Sequence, residues 1–273
     1  MKNFKEKYGP WALITGASSG IGNEYAKFIA AQGLHVALVA RSKDKLISIG
    51  KEIESDYNQN VKVIVADLTT QDGIDKVKKE TDDLEIGLLV NNAGREDSDH
   101  FLNISTKKHL ETIDLNIKAP LLLTHHFGEK MVTRKRGGII TMSSIVAFQG
   151  VPYIANYAGT KAYDLIFSEG IASEFKKYNI DVSVVTPGFT KTNLASEYDF
   201  SGTPMKPLDP GYVAAKAVKN LGRKRLSIPG FINVFLYWSG KFLFSRNMNT
   251  ASFGKVFSTV LRKKIKLNNL INN

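Results

Sequence analysis

Tyr157 and Lys161 stand four residues apart in YAGTK, so on a helix both side chains leave the same face. Ser144 lies thirteen residues before the tyrosine, after the apolar run GGIITM. A phenol, an ammonium and a hydroxyl gathered at one point can deliver a proton to a carbonyl oxygen. A free tyrosine titrates near ~10, too high for easy cycling at neutral pH. One ammonium about 4 Å away, at an effective dielectric of ~20, favours the phenolate by roughly 4 kcal/mol, on the order of three pK units before desolvation opposes it. Lys161 is therefore expected to suffice for a tyrosine that works near neutral pH. Plainer readings stay open. Tyr and Lys at this spacing also decorate ordinary helix surfaces, and Ser143 could serve in place of Ser144, although the spacing to the tyrosine favours Ser144.

The elements that must position these groups are legible as an alternation. WALIT (residues 11–15), LHVALVA, KVIVAD, IGLLVNNAG, GGIITMSS and DVSVVTPG are short apolar runs of the kind a buried parallel strand requires. Helical patterns lie between them, one from about Asn23 to Gln32 with Gly33 as its stop. Six such strands imply right-handed crossovers and an α/β doubly wound parallel sheet with helices on both faces. Asp209-Pro210 supplies an N-cap and a first-turn proline for a late helix closed by Gly222. The polar, Gly- and Pro-containing stretch of residues 193–210 before it is expected to be a mobile flap over a substrate site.

Between the first strand and first helix, TGASSGIG places Gly16, Gly20 and Gly22 where a backbone must turn tightly and approach a pyrophosphate. The helix N-terminus there offers free N–H groups and partial positive charge. The second strand of such a unit commonly ends in an acid that binds a ribose. No acidic residue occurs between Glu24 and Asp44; Arg41 stands at the strand end, followed by Ser42. A guanidinium there can fork onto a 2′-phosphate, which favours NADP(H) over NAD(H), unless Arg41 is simply a solvated surface residue.

TGASSGIG at 15–22, NNAG at 91–94, Asn116 in LNIKAP, Ser144, YAGTK at 157–161 and PGFTKT at 187–192 together resemble the short-chain dehydrogenase/reductase family, in that family's order and over about residues 11–221. The resemblance implies a Rossmann fold and a tetrad of Asn116, Ser144, Tyr157 and Lys161. It also implies reversible ketone–alcohol chemistry by hydride transfer, with Tyr157 as proton donor and acceptor. Asn116, expected mid-helix, would hold a water for proton relay to Lys161, although it could merely satisfy a backbone group. Cofactor contacts are implied for Gly16, Ser18, Ser19, Gly20, Ile21 and Gly22, and for Arg41 and Ser42. Asp67 and Leu68 would lie near the adenine, Asp67 being otherwise a strand-end turn residue. Asn91, Ala93 and Gly94, then Pro187, Gly188, Thr190 and Thr192, complete the set, with Tyr157 and Lys161 at the nicotinamide end. The family further suggests a homodimer or homotetramer through the Tyr157-bearing helix.

At 273 residues with 43% hydrophobic and 23% charged side chains, the chain suits one large domain: a dinucleotide-binding and catalytic part over 1–225 and a helical extension of it over 226–273. The absence of cysteine excludes disulfides and thiolate catalysis and fits a cytoplasmic setting, and no secretion signal is expected at the N-terminus. His125-His126 lacks carboxylate partners at ligand spacing, so no metal is expected. From Lys216 onward there are twelve Lys and Arg and no acid; the 37 basic residues less these twelve leave 25 against 26 acids, so the net +11 resides in the tail. No nucleic-acid reading module accompanies it. Phe231, Val234, Phe235, Trp238 and Phe242 fall on one helical stripe. Two readings follow: an interfacial helix drawn to anionic lipid, peripheral to a membrane, or a helix pair covering a pocket or a subunit interface. Either suggests a small-molecule substrate that is bulky and apolar, 3-oxoacyl or steroid-like. A dinucleotide-binding or membrane-surface scaffold without catalysis is the competing function.

Overall fold

Strand residues alternate between the two faces of a sheet, and here both faces are covered. The computed structural model describes residues 4–196, 198–201 and 206–261. A short helix α1 (Phe4–Tyr8) precedes β1 (Trp11–Thr15), α2 (Gly20–Ala30), β2 (His35–Ala40), α3 (Lys43–Tyr57), β3 (Val61–Val65), α4 (Gln71–Glu80) and β4 (Ile86–Asn91). The second half runs α5 (Thr106–Ile113), a π-helical turn (Asp114–Lys118), α6 (Ala119–Arg134), β5 (Gly137–Met142), α7 (Ala155–Phe175), β6 (Ile180–Val185), α8 (Pro210–Asn220), β7 (Leu226–Ser227), α9 (Phe231–Phe242) and α10 (Arg246–Val260). All strands pair in parallel in the order β3-β2-β1-β4-β5-β6-β7. This is the doubly wound Rossmann arrangement expected from the alternation, with one strand more. β7 has two residues, too few for a periodic signal, and it pairs with β6 just beyond the 225 boundary.

The alternation divides the core into two layers. Ala12, Ile14, Val36, Leu38, Leu88 and Val90 pack with Tyr25, Ile29 and Leu46 of α2 and α3, and with Val213 and Ala217 of α8. Leu13, Ala37, Val39, Ile86 and Leu89 point the other way, onto Ile74 and Val77 of α4, Leu123 and Phe127 of α6, and Ala172 of α7. The order of strand addition reverses between β1 and β4, which opens a crevice at the strands' carboxyl ends, where open α/β sheets bind ligands.

Helix ends follow local chemistry. Thr70, Asp209 and Ser245 cap α4, α8 and α10 by accepting from the N–H of Gly73, Tyr212 and Met248. Pro210 opens α8 as the sequence implies, and Gly222, at φ +74°, lies two residues past its end. Two departures from expectation concern the site. The first helix begins at Gly20, not near Asn23, which brings its N-terminus into the glycine turn. Asn116 lies in the π-helical turn between α5 and α6 and not in a regular helix; such insertions re-aim side chains and recur at functional sites. In the stretch read as a flap, residues 197 and 202–205 lie outside the described residues, as does the end of the basic tail from 262.

Phe127 is fully buried under the sheet. Phe127→Ala should cost about 3–5 kcal/mol, seen as a lower urea midpoint with an unchanged slope. An unaltered midpoint would contradict the two-layer packing described.

Candidate functional site

One cleft of about 690 Å³ runs along the carboxyl ends of β1, β4, β5 and β6. At its floor, Thr15 and Asn92 join the ends of β1 and β4. The Thr15 hydroxyl oxygen accepts from the backbone N–H of Asn92 (2.9 Å) and Ala93 (3.0 Å), and Asn92 Nδ2 donates to the Thr15 carbonyl at 2.9 Å. Above this clamp Gly16 and Gly22 of the turn leave no room for a Cβ. A Cβ on Gly22 would lie 2.2 Å from the Gly16 carbonyl oxygen, and Gly16 itself holds φ +68° against Ala93. Ser19, at the N-cap position of α2, makes no side-chain cap bond, so first-turn amides of that helix remain available to an anion.

The residues singled out in the sequence converge here. Ser18, Ser19, Gly20, Ile21, Arg41, Ser42, Asp67, Leu68, Ala93 and Gly94 line one end; Ser144, Tyr157, Lys161, Pro187, Gly188, Thr190 and Thr192 line the other. Arg41 is exposed at the end of β2 and close enough to act on Asp67. Burial opposes ionisation of Asp67, yet hydrogen bonds from Thr69 and the charges of Arg41 and Arg95 hold its carboxyl below the ordinary value. Asn91 is a correction. It is buried, its amide donates to Thr124 Oγ1 at 2.9 Å, and it does not line the cleft. Its neighbour Asn92 does, because adjacent residues of an extended chain face opposite ways.

Around the proton-handling groups, Ser143 and Ser144 separate cleanly. Ser143 Oγ donates to the Lys161 carbonyl at 2.6 Å and is buried against α7, whereas Ser144 lines the cleft with Tyr157 and is close enough to favour its phenolate. Lys161 Nζ sits 5.8 Å from the centre of the Tyr157 ring. It donates to the Met142 carbonyl at 2.8 Å and to Asp164 Oδ2 at 3.0 Å. Asn116 is fully buried: its Oδ1 accepts from Arg95 N (3.0 Å), and its Nδ2 donates to the Arg95 carbonyl and to Thr160 Oγ1, each at 3.0 Å. It thus takes up the backbone of the residue after Gly94 and a hydroxyl of α7.

The electrostatics also revise one expectation. The phenol's pKa is raised in this arrangement despite the ammonium beside it, and the Lys161 charge is shared with Asp164, 3.0 Å away. Burial raises the Tyr157 pKa most, the Glu96 carboxylate adds to this, and Asp164 adds further; the Ser144 hydroxyl opposes them. Asp164 is itself pushed up to about 6 by burial, against the pull of Lys161, and its Oδ1 has no hydrogen-bond partner. Neither acid was singled out from sequence, although the three-residue step from Lys161 to Asp164 is a helix-neighbour spacing that could have drawn notice. Beyond Tyr157 the cleft ends in an aromatic wall. Phe189 lies 5.2 Å from Tyr198 and 5.4 Å from Phe257, ring centre to ring centre, and Phe253 of α10 joins them. Tyr198 donates from this wall to Glu96 on the opposite rim.

A parallel sheet with a glycine cradle, an open helix N-terminus and a buried phenol–ammonium pair at one crevice defines a dinucleotide-dependent oxidoreductase site. Residues 10–200 match the short chain dehydrogenase family, and the chain belongs to it. It is 30% identical over 260 residues to a 7beta-hydroxysteroid dehydrogenase of Clostridium sardiniense, covering 93% of this chain and 98% of that protein. It is 33% identical over 248 residues to a very-long-chain 3-oxoacyl-CoA reductase of Meyerozyma guilliermondii, covering 87% and 72%. A solved short-chain dehydrogenase from Sphingobium yanoikuyae in complex with NADPH superposes with a TM-score of 0.79 at 30% identity, covering 85% of this chain and 92% of that one. The chain is therefore an oxidoreductase of a family that binds nicotinamide dinucleotides, and the cradle described fits such a group.

Asp164→Asn leaves the Lys161 charge uncompensated and so favours the Tyr157 phenolate. In alcohol oxidation, which needs that phenolate, the rise of kcat/KM with pH should move about one unit downward. A rise at the parent pH would show that Asp164 does not govern the phenol.

Proposed function

We propose that this protein is an NADPH-dependent reductase that interconverts a bulky, apolar ketone and its secondary alcohol. The observation that carries the reading is the joining, in one cleft, of the glycine cradle, the Ser144–Tyr157–Lys161 group and an aromatic wall. NADPH supplies the hydride that goes to the carbonyl carbon. The first-turn amides of α2 bind its pyrophosphate, while Arg41 and Ser42 hold the 2′-phosphate by charge-assisted hydrogen bonds. Asp67 and Leu68 border the adenine, and Lys161 binds the nicotinamide ribose hydroxyls.

Tyr157 hands its phenolic proton to the substrate oxygen, and the Ser144 hydroxyl donates to that same oxygen as negative charge develops. A raised phenol pKa suits this direction, since a donor must be protonated before the event. Asn116 acts by fixing the Arg95 peptide, and with it the backbone beside Gly94. Phe189, Tyr198, Phe253 and Phe257 exclude water and receive the apolar body of the substrate. A 3-oxoacyl or steroid-like carbonyl agrees with this wall, and the two relatives are named for substrates of those kinds.

The test is oxidation of NADPH, followed by its absorbance, across a panel of ketones graded by bulk. Tyr157→Phe should lower kcat by about 10²–10⁴-fold with the Kd for NADPH unchanged; full turnover in that variant would refute the assignment. Arg41→Asp should shift the NADPH-to-NADH preference in kcat/KM by about tenfold or more towards NADH. A constant ratio would remove Arg41 from the 2′-phosphate site.

A further inference from the structure

Helix α9 is built inside out. A helix on the surface of a soluble domain ordinarily turns its large apolar side chains to the core and its small or polar ones to water. Here Phe231, Phe235, Trp238 and Phe242, which share one stripe, are 85%, 61%, 52% and 65% exposed. Ile232 and Leu236 extend the same surface outward, and the rings of Trp238 and Phe242 stack at 5.3 Å. The side turned to the protein carries Asn233, Tyr237 and Gly240. Asn233 donates to the Pro229 carbonyl at 2.7 Å, Tyr237 packs on Phe148 with ring centres 4.6 Å apart, and the Gly240 carbonyl accepts from Asn249 at 2.8 Å.

The charges carried by α9 and α10 have one sign. No acidic residue follows Asp209 in the sequence, and Lys241, Arg246 and Lys255 on α9 and α10 are all exposed. Lys241 runs beside the aromatic stripe, with its ammonium 5.5 Å from the centre of the Phe242 ring and 3.4 Å from the Tyr237 hydroxyl. That is how a lysine stem lies on apolar material while its head reaches a polar boundary. Among the described residues no helix is long and apolar enough to cross a membrane. At twelve residues α9 is about 18 Å long, against a hydrocarbon core of about 30 Å. A second copy paired symmetrically on this face would set these cations against their own duplicates, with no nearby acid of the same stretch to answer them.

We propose that the exposed face of α9 docks in the plane of an anionic lipid surface. Phe231, Phe235, Trp238 and Phe242 enter the boundary between headgroups and acyl chains, and Lys241, Arg246 and Lys255 meet lipid phosphates. The inference stands apart from the reaction proposed above, because neither the aromatic stripe nor these cations belong to the cleft.

Trp238 reports on it directly. The chain has two tryptophans, so Trp11→Phe leaves Trp238 alone in an otherwise full-length protein. With vesicles of phosphatidylcholine and phosphatidylglycerol its emission should shift to the blue and be quenched by brominated acyl chains. Partitioning should be roughly a hundredfold weaker onto phosphatidylcholine alone. Phe235→Asp with Phe242→Asp should abolish co-sedimentation while circular dichroism and NADPH turnover stay as in the parent. Absence of any shift with either vesicle would overturn the proposal, as would equal partitioning onto both. Burial of Trp238 that rises with protein concentration in the absence of lipid, together with a dimer mass lost in the Asp variant, would give the face to a second copy instead.

Discussion

Lys161 has to be neutralised where it stands, and much of the site follows from how this is done. An isolated ammonium cannot be kept in a dry interior. Here it is shared between the carbonyl at the end of β5 (Met142, 2.8 Å) and a carboxylate one turn further along α7 (Asp164, 3.0 Å). The bond from Ser143 Oγ to the Lys161 carbonyl, at 2.6 Å, stitches the same two elements in the other direction. With α7 fixed to the end of β5 at two points, Tyr157 one turn earlier is presented beside Ser144. Breaking such a buried pair by deleting one partner commonly costs about 3–5 kcal/mol, so this arrangement also orients α7.

Burial, more than this pairing, sets the state of the phenol. Burial, Glu96 and Asp164 all favour the protonated form, and only the Ser144 hydroxyl pulls the other way. A bound dinucleotide sugar would compete for Lys161, drawing its charge from Asp164 and easing ionisation of Tyr157. Proton handling would then be coupled to occupancy of the cleft. Glu96 takes part twice, as an anion acting on Tyr157 and as the acceptor for Tyr198, which ties the rim after β4 to the segment after β6.

Much of this was legible in the sequence because buried parallel strands read as unbroken apolar runs. WALIT, HVALVA and GGIITM announce themselves in that way, and the glycine turn sits where a strand must give way to a helix. What escaped has physical causes. β7 is too short to carry a period. The π-helical turn at Asn116 arises from a backbone insertion that no side-chain pattern marks. Asn91 and Asn92 look alike in a string of letters, yet an extended backbone sends one behind the sheet and the other into the cleft. Asp164 and Glu96 matter through the dielectric around them, which depends on what the whole chain buries. α9 was visible as an apolar stripe, but which way the stripe faces is decided by packing on Phe148 and Asn249.

In the proposed reaction a hydride moves from NADPH to the carbonyl carbon of a large apolar ketone while Tyr157 furnishes the proton. Isotope tracing tests it most directly. The protein would be incubated in ordinary water with NADPH deuterated at the transferable position of the nicotinamide, and the alcohol product analysed by mass spectrometry. The account predicts one deuterium on the carbinol carbon and none from the label elsewhere. Cofactor consumed without any deuterium appearing in the alcohol would contradict it.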